Sequence, residues 1–228
     1  MQEELMSVMK KVSYIESSIR GIGKGENQDN ILILENENGY LFVVFDGVGS
    51  AINSAEATRL AKEFISNVWN DFFKGPDLKL AWLMASTNSY LVSYPKKELL
   101  TTYSAVYIPK SEPKIILYSS LGDSRIYVVN PQYLEQISED DKLSANSNYI
   151  TKCLGLEHLQ PDDFKQNRLN LYDDKLLLCT DGFYHILEAN LLDFFFTLIK
   201  TNPSSIRRSL NAKLIGNNDD DATYLLIQ

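Results

Sequence analysis

Short apolar runs with the composition of β-strands recur along the whole chain, at residues 31–34, 40–45, 102–108, 115–119, 124–129, 175–179 and 223–227. Each is too short for an ordinary helix, and all but the leucine-rich run 175–179 carry β-branched or aromatic side chains, which suit a pleated, half-buried surface. The polar turn Asn36-Glu37-Asn38-Gly39 separates the first two runs, and Leu121-Gly122-Asp123 separates the fourth and fifth. Connections this short allow antiparallel pairing but not a parallel crossover, which needs about a dozen residues. Mainly antiparallel sheet is expected, with hairpins at both turns.

Helical periodicity fills the gaps between these runs. Ala57, Leu60, Ala61, Phe64, Ile65 and Val68 repeat at helical spacing after Ser50, with Lys62, Glu63 and Asn67 facing away. A second helix is expected after Pro76-Asp77, carrying Leu80, Leu83, Met84 and Leu91, with Asp77 as its N-cap. These two make a helical hairpin. Residues 186–199 and 203–214 read as a further helical pair, stopped by Gly216 before the acidic turn 217–221. This order of elements describes an α+β domain in which helices cover antiparallel sheet. No repeat, linker or break in composition divides residues 1–228, which read as a single domain.

Composition removes several classes of protein. Hydrophobic residues make up 44% and charged residues 23%, as in folded globular chains and unlike disordered or fibrous ones. A formal net charge of -8 without any run of Lys or Arg argues against binding nucleic acid through its phosphates. The start, MQEELMSVMKK, has acidic residues where a secretory signal needs positive charge, and no segment reaches the ~20 apolar residues of a membrane span. A cytoplasmic protein with no membrane partner is expected. Cys153 and Cys179 are far apart, and His158 and His185 stand at no ligand spacing, so neither a disulfide framework nor a zinc site has the material it needs. Any metal must be held by oxygen.

Oxygen ligands stand where the strands end. Asp46 follows Leu41-Phe42-Val43-Val44-Phe45 and precedes Gly47, and Asp181 follows Leu176-Leu177-Leu178-Cys179-Thr180 and precedes Gly182. Asp219-Asp220-Asp221 leads into the last run, 223–227. Singly, an Asp-Gly after a strand is ordinarily a turn. If the three strand ends meet, the carboxylates converge, and converged carboxylates repel unless a cation or a proton intervenes. Hard oxygen ligands select Mg²⁺ or Mn²⁺, and a paired-metal site of this kind activates water for attack on phosphorus.

Taken in order, these segments resemble the metal-dependent protein phosphatases of the protein phosphatase 2C type. Asn27-Gln28-Asp29-Asn30 is similar to that family's N-[QE]-D segment, and Phe42-Val43-Val44-Phe45-Asp46-Gly47-Val48-Gly49-Ser50 to its V-x-D-G-x-G box. Leu121-Gly122-Asp123-Ser124-Arg125-Ile126-Tyr127 is similar to G-D-S-R-x-Y, and Ile150-Thr151-Lys152-Cys153-Leu154-Gly155 to [IL]-T-x-x-L-G. Residues 176–182 are similar to L-L-x-x-[ST]-D-G, and Asp220-Asp221-Ala222-Thr223 to D-[ND]-x-T.

The resemblance covers nearly the whole chain. It implies a central antiparallel β-sandwich flanked by pairs of antiparallel helices, in four layers ordered α-β-β-α. It implies hydrolysis of phosphoserine and phosphothreonine in proteins by water activated on two divalent cations, Mn²⁺ or Mg²⁺. Asp46 would bridge both ions, Gly47 would offer its carbonyl, Asp181 and Asp220 would complete the first ion's ligands, and Asp29 would belong to the second ion's surroundings. Asp123 matches a position that joins an additional, weaker third metal site in bacterial members; its other reading is a turn aspartate that accepts backbone hydrogen bonds.

Where the family often has Arg three residues before its Asn, this chain has Lys24, a point charge without the planar fork. Lys24 is expected to bind the substrate phosphate and to join Asp46, Asp181 and Asp220 in the catalytic set. The glycines of Arg20-Gly21-Ile22-Gly23-Lys24-Gly25 lack phosphate-loop spacing and read as a turn that aims Lys24. Asp221 stands where Asn is frequent, and the stretch between Gly155 and Lys175 is short for a flap over the substrate. The expected setting is a monomer acting on a phosphorylated protein, opposite a serine/threonine kinase. Two other readings keep the same fold: a weak or inactive regulatory protein that binds a phosphorylated partner, and a phosphatase of small phosphate esters.

Overall fold

The computed structural model describes residues 12–75, 77–144, 147 and 149–228. The start of the chain, read above as no secretory signal, and Pro76, the expected entry to the second helix, lie outside the described residues.

In chain order the described residues form strands β1 (Tyr14–Ile19), β2 (Asn30–Glu35) and β3 (Gly39–Gly47), then helix α1 (Ser54–Val68). Two short strands, β4 (Phe73–Lys74) and β5 (Asp77–Leu78), precede helix α2 (Leu80–Ser93) and strands β6 (Thr101–Pro109) and β7 (Ile115–Leu121). There follow β8 (Arg125–Asn130), β9 (Tyr133–Gln136), β10 (Asn167–Asn170) and β11 (Lys175–Cys179). Helices α3 (Asp181–Ala189), α4 (Leu191–Leu198) and α5 (Pro203–Leu214) and strand β12 (Ala222–Ile227) complete the chain. Two five-stranded sheets, ordered β1-β12-β11-β8-β9 and β10-β7-β6-β3-β2, are antiparallel throughout.

The layering follows from the two-residue period of a strand, which sends successive side chains to opposite faces. In β3, Phe42 and Val44 enter the space between the sheets, where they meet Leu176 and Leu178 of β11 and Leu225 and Ile227 of β12. The alternate residues Leu41, Val43 and Phe45 pack outward beneath α1 and α2, against Ala57, Leu60, Ala61, Leu83 and Met84. On the other sheet, Leu177, Cys179, Tyr224 and Leu226 face α3, α4 and α5 through Phe183, Leu187, Phe194, Leu198 and Leu210. Each fully buried aliphatic or aromatic side chain contributes about 1.5–3 kcal/mol. Strands apolar on both faces therefore require cover on both sides, and the result is the expected α-β-β-α sandwich. Cys153 and Cys179 are buried free thiols.

Three local expectations need correction. The turn at residues 121–123 is not a hairpin: β7 and β8 belong to different sheets, and the chain crosses the edge of the sandwich at Gly122. Gly122 has φ +90, and a Cβ there would lie 2.5 Å from Thr102 Cγ2, so only glycine makes this crossing without strain. Asp77 does not cap the second helix, because it pairs with Lys74 across β4 and β5, while the amide of Leu80 donates to Gln166 Oε1 at 2.7 Å. The helix expected at 186–199 begins at Asp181 and divides at Asn190, whose backbone (φ -135, ψ 41) leaves the helical region. Three helices rather than a pair therefore cover that face. The stretch between Gly155 and Lys175 is partly ordered as sheet, since β10 adds an edge strand to β7.

The crossing at Gly122 is testable by thermal melting. Gly122→Ala should cost about 1–3 kcal/mol through overpacking against Thr102, which lowers the midpoint by several degrees; an unchanged midpoint would show that the turn tolerates a side chain.

Candidate metal centre

The strand ends do meet. Asp46 lies at the end of β3, paired across the sheet with Thr102. Asp181 opens α3 directly after β11, and Asp220 precedes β12, the antiparallel neighbour of β11. Asp46, Gly47, Asp123, Asp181, Asp219 and Asp220 line one cavity of about 500 Å³ at the edge of the sandwich. His185 and Ser50 stand on its walls, and His185 is exposed on α3.

The backbone around the cavity is fixed mainly by groups that do not line it. The Thr180 amide donates to Thr223 O at 3.1 Å, and the Thr223 amide returns a bond to Thr180 Oγ1 at 3.0 Å. Thr180 Oγ1 donates in turn to Asp29 Oδ2 at 3.0 Å. Gly182 admits close contact between α3 and the aspartate turn, since a Cβ there would meet Asp221 O at 2.2 Å. Asp221 is buried and accepts the amides of Gly21 and Gln28, each at 2.8 Å. Its charge is thus used to hold the segment 21–28 against the turn, a role that the sequence alone does not distinguish from that of Asp220.

The expected site residues fall into two groups. Asp46, Gly47, Asp123, Asp181 and Asp220 share the cavity. Asp29 is buried behind it on Thr180, and Lys24 reaches it from the side through an ion pair with Asp220, its ammonium 3.8 Å from Asp221. The turn that aims Lys24 is present, closed by the Lys24 amide on Gly21 O at 3.2 Å. Sequence reasoning missed Lys142, whose ammonium lies 3.1 Å from Asp123 Oδ2, and Tyr184. Neither belongs to a recurrent motif, and both arrive from segments remote from Asp123.

Burial first, and then neighbouring carboxylates, push the Asp46 carboxyl well above its ordinary value; Asp181, Asp29, Asp123 and Asp220 all contribute. Burial likewise raises Asp181, with Asp123 and Asp220 adding to it and His185 opposing it. Asp29 is raised by burial against the opposing hydroxyls of Thr223 and Thr180. For Lys24, burial disfavours the charge, yet the Asp220, Asp221 and Asp46 carboxylates outweigh it and the pKa rises.

Several observations fit a hard divalent cation. The donors are carboxylate oxygens and a glycine, without thiols. The Asp46 carboxyl has no hydrogen-bond or ion-pair partner among the described residues. As they stand, no three acidic, imidazole or thiol groups among the described residues close on one point as a finished ligand set would. The repulsion that raises these pKa values also favours such spacing.

Residues 22–215 match the sequence profile of the family described as Protein phosphatase 2C. The chain belongs to that family. A serine/threonine phosphatase, stp, of Listeria monocytogenes is 23% identical over 239 residues, which span 92% of each chain. Among solved structures, the serine/threonine phosphatase Stp1 from Staphylococcus aureus superposes with a TM-score of 0.76 at 21% identity, over 95% of this chain and 94% of that one. The catalytic domain of the serine threonine protein phosphatase PstP, solved with two manganese ions, gives a TM-score of 0.74 at 20% identity, over 95% and 97%. Both likenesses show a shared protein phosphatase 2C fold.

The buried charge has a measurable consequence for this phosphatase-family chain without metal. A carboxyl whose folded-state pKa lies above its unfolded value weakens the fold as pH rises through that interval, because the folded protein binds the proton more tightly. Asp46→Asn should therefore raise the melting midpoint in chelator near pH 7, by about 2–4 °C for each kcal/mol recovered. The gain should fade as pH drops toward 3.8, the ordinary carboxyl value. A midpoint below that of the wild type near neutral pH would contradict the repulsion.

Proposed function

We propose that this chain is a metal-dependent serine/threonine protein phosphatase. The observation that carries the reading is the cavity where Asp46, Asp181 and Asp220 converge from β3, β11 and β12, within a chain of the protein phosphatase 2C family. The serine/threonine phosphatases among its bacterial relatives support a phosphoserine or phosphothreonine substrate. Nothing in the site favours an inactive binding protein, since all three aspartates are present and face the cavity.

Two divalent cations, Mn²⁺ or Mg²⁺, would be held by Asp46, the Gly47 carbonyl, Asp181 and Asp220, with Asp29 buttressing the site through Thr180. When bound, they supply positive charge against the phosphoryl oxygens and activate water near neutral pH. The chain's own residues do the rest. Asp181, in the first turn of α3, keeps its carboxylate at the positive end of that helix. Lys24, paired with the cavity-lining Asp220, is a point charge that can bind a phosphate oxygen. Water attacks phosphorus directly, the serine or threonine oxygen leaves, and no phosphorylated enzyme group forms. A serine/threonine kinase would supply such a substrate, and the cytoplasm, where that kinase would find ATP, is the proposed setting.

Hydrolysis of a phosphothreonine peptide and of p-nitrophenyl phosphate, each with Mn²⁺, Mg²⁺ or chelator, tests the assignment. Peptide turnover should need metal, and turnover indifferent to chelation would refute it. Asp46→Asn should lose at least about 10²-fold in kcat/KM, more than the 10–100-fold typical of losing a group that only supports a metal ligand. Asp181→Asn and Asp220→Asn should each be severe and their combination little worse, because residues acting as a unit are not additive; multiplying losses would place them at different sites.

Lys24→Ala should raise KM by about tenfold with kcat nearly kept, as expected when a charge-assisted contact of about 1.5–3 kcal/mol is made in ground and transition states alike. Lys24→Arg should restore phosphate binding. Wild-type constants in Lys24→Ala would exclude the phosphate role.

A further inference from the structure

Asp123 is served by a cation that belongs to the chain itself. Lys142 is almost wholly buried, with 7% of its side chain exposed, and the Asp123 side chain retains 4%. Its ammonium lies 3.1 Å from Asp123 Oδ2, donates to the Tyr184 hydroxyl at 2.8 Å, and stays 4.0 Å from Asp140 Oδ2. The Tyr184 hydroxyl donates to the same Asp123 oxygen at 3.4 Å. Arg125 is engaged elsewhere: it makes a 2.8 Å contact to Asp140, another of 2.5 Å to Glu188, and stacks 3.6 Å above the Tyr184 ring. Lys142 is therefore the cation left to balance Asp123 among the described residues.

The backbone that presents Lys142 is pinned to the Gly122 crossing. The Asp141 amide donates to Gly122 O at 2.8 Å, and the Gly122 amide donates to Asp141 Oδ2 at 3.0 Å. Lys142 itself forms a bridge with Ile150, and the Leu143 amide donates to Tyr149 O at 3.0 Å. A buried ammonium held at both ends in this way repels a divalent cation brought to the same carboxylate and cannot swing aside without losing both partners.

We propose that Lys142 takes the place of an additional metal ion at Asp123, so that Asp123 binds no metal in this chain and offers its buried, unpartnered Oδ1 as a hydrogen-bond acceptor at the cavity wall. Lys142 is thus a positioning residue that replaces a third ion by a fixed single charge. The inference rests on the reading of the cavity as a divalent-metal centre.

Equilibrium binding of Mn²⁺ alone, read as equivalents bound per chain, tests it without any assay of turnover. Wild type and Asp123→Asn should bind the same number of equivalents. Lys142→Ser should bind one more, and the double variant Lys142→Ser/Asp123→Asn should lose it again. An equivalent missing from Asp123→Asn, or none gained by a Lys142→Ser protein whose circular dichroism is native, overturns the proposal. Should Lys142→Ser fail to fold, the comparison of wild type with Asp123→Asn still decides it. Absence of any Mn²⁺ binding by the wild type would overturn the metal-centre reading as well, so the two failures are distinguishable.

Discussion

Carboxylates crowded at the edge of an apolar core repel one another, and much of this structure is arranged to hold them there. Their pKa values are raised by burial and by each other, so the cluster works against folding unless other contacts fix the backbone. Those contacts are visible one residue away from two of the cavity aspartates. Thr180 precedes Asp181 and ties β11 to β12; Asp221 follows Asp220 and gathers the amides of Gly21 and Gln28. The cavity is thus presented by contacts from groups other than the carboxylates that line it.

The basic groups near the centre are distributed among particular acids. Lys24 is given to Asp220, Lys142 to Asp123, and Arg125 to Asp140 and Glu188. Asp46 and Asp181 make no ion pair with Lys or Arg among the described residues, and Lys24 acts on Asp46 only from farther away. A cation entering the cavity meets its strongest demand at those two, one from each sheet. On the proposed reading, chain-borne and bound positive charge divide the work, with the ammonium ions at the sides and room for metal ions in the middle.

The position of each group follows from where strands stop. The sandwich is held by side chains that alternate between the inter-sheet space and the helical layers, and these leave little freedom to slide a strand, because a one-residue slip would exchange the side chains fitted to the facing sheet with those fitted to the helices. Asp46 and Asp220 inherit that fixed register. Asp123 does so less directly, through a chain that changes sheets at Gly122 and is then locked by Asp141.

The strands that carry Asp46, Asp181 and Asp220 were legible because each is a continuous apolar run ended by a carboxylate, and local composition is enough to mark such a boundary. The weaker strands were not. Residues 14–19, 133–136 and 167–170 lie at or near sheet edges, where one side of the strand lacks a neighbour and the apolar signal is diluted. The expected hairpin at Gly122 failed for a related reason: a short turn between two strands looks the same whether it closes a hairpin or crosses to a facing sheet. Asp77 lost its capping role to Gln166, which is distant in sequence. Among the site residues, the sequence determined the identity and order of the aspartates and the turn that carries Lys24. Tertiary structure alone decided that Asp221 is an internal brace while Asp220 faces the cavity, and that Lys142 lies on Asp123, because burial and charge pairing are set by segments that meet only once the two sheets have packed.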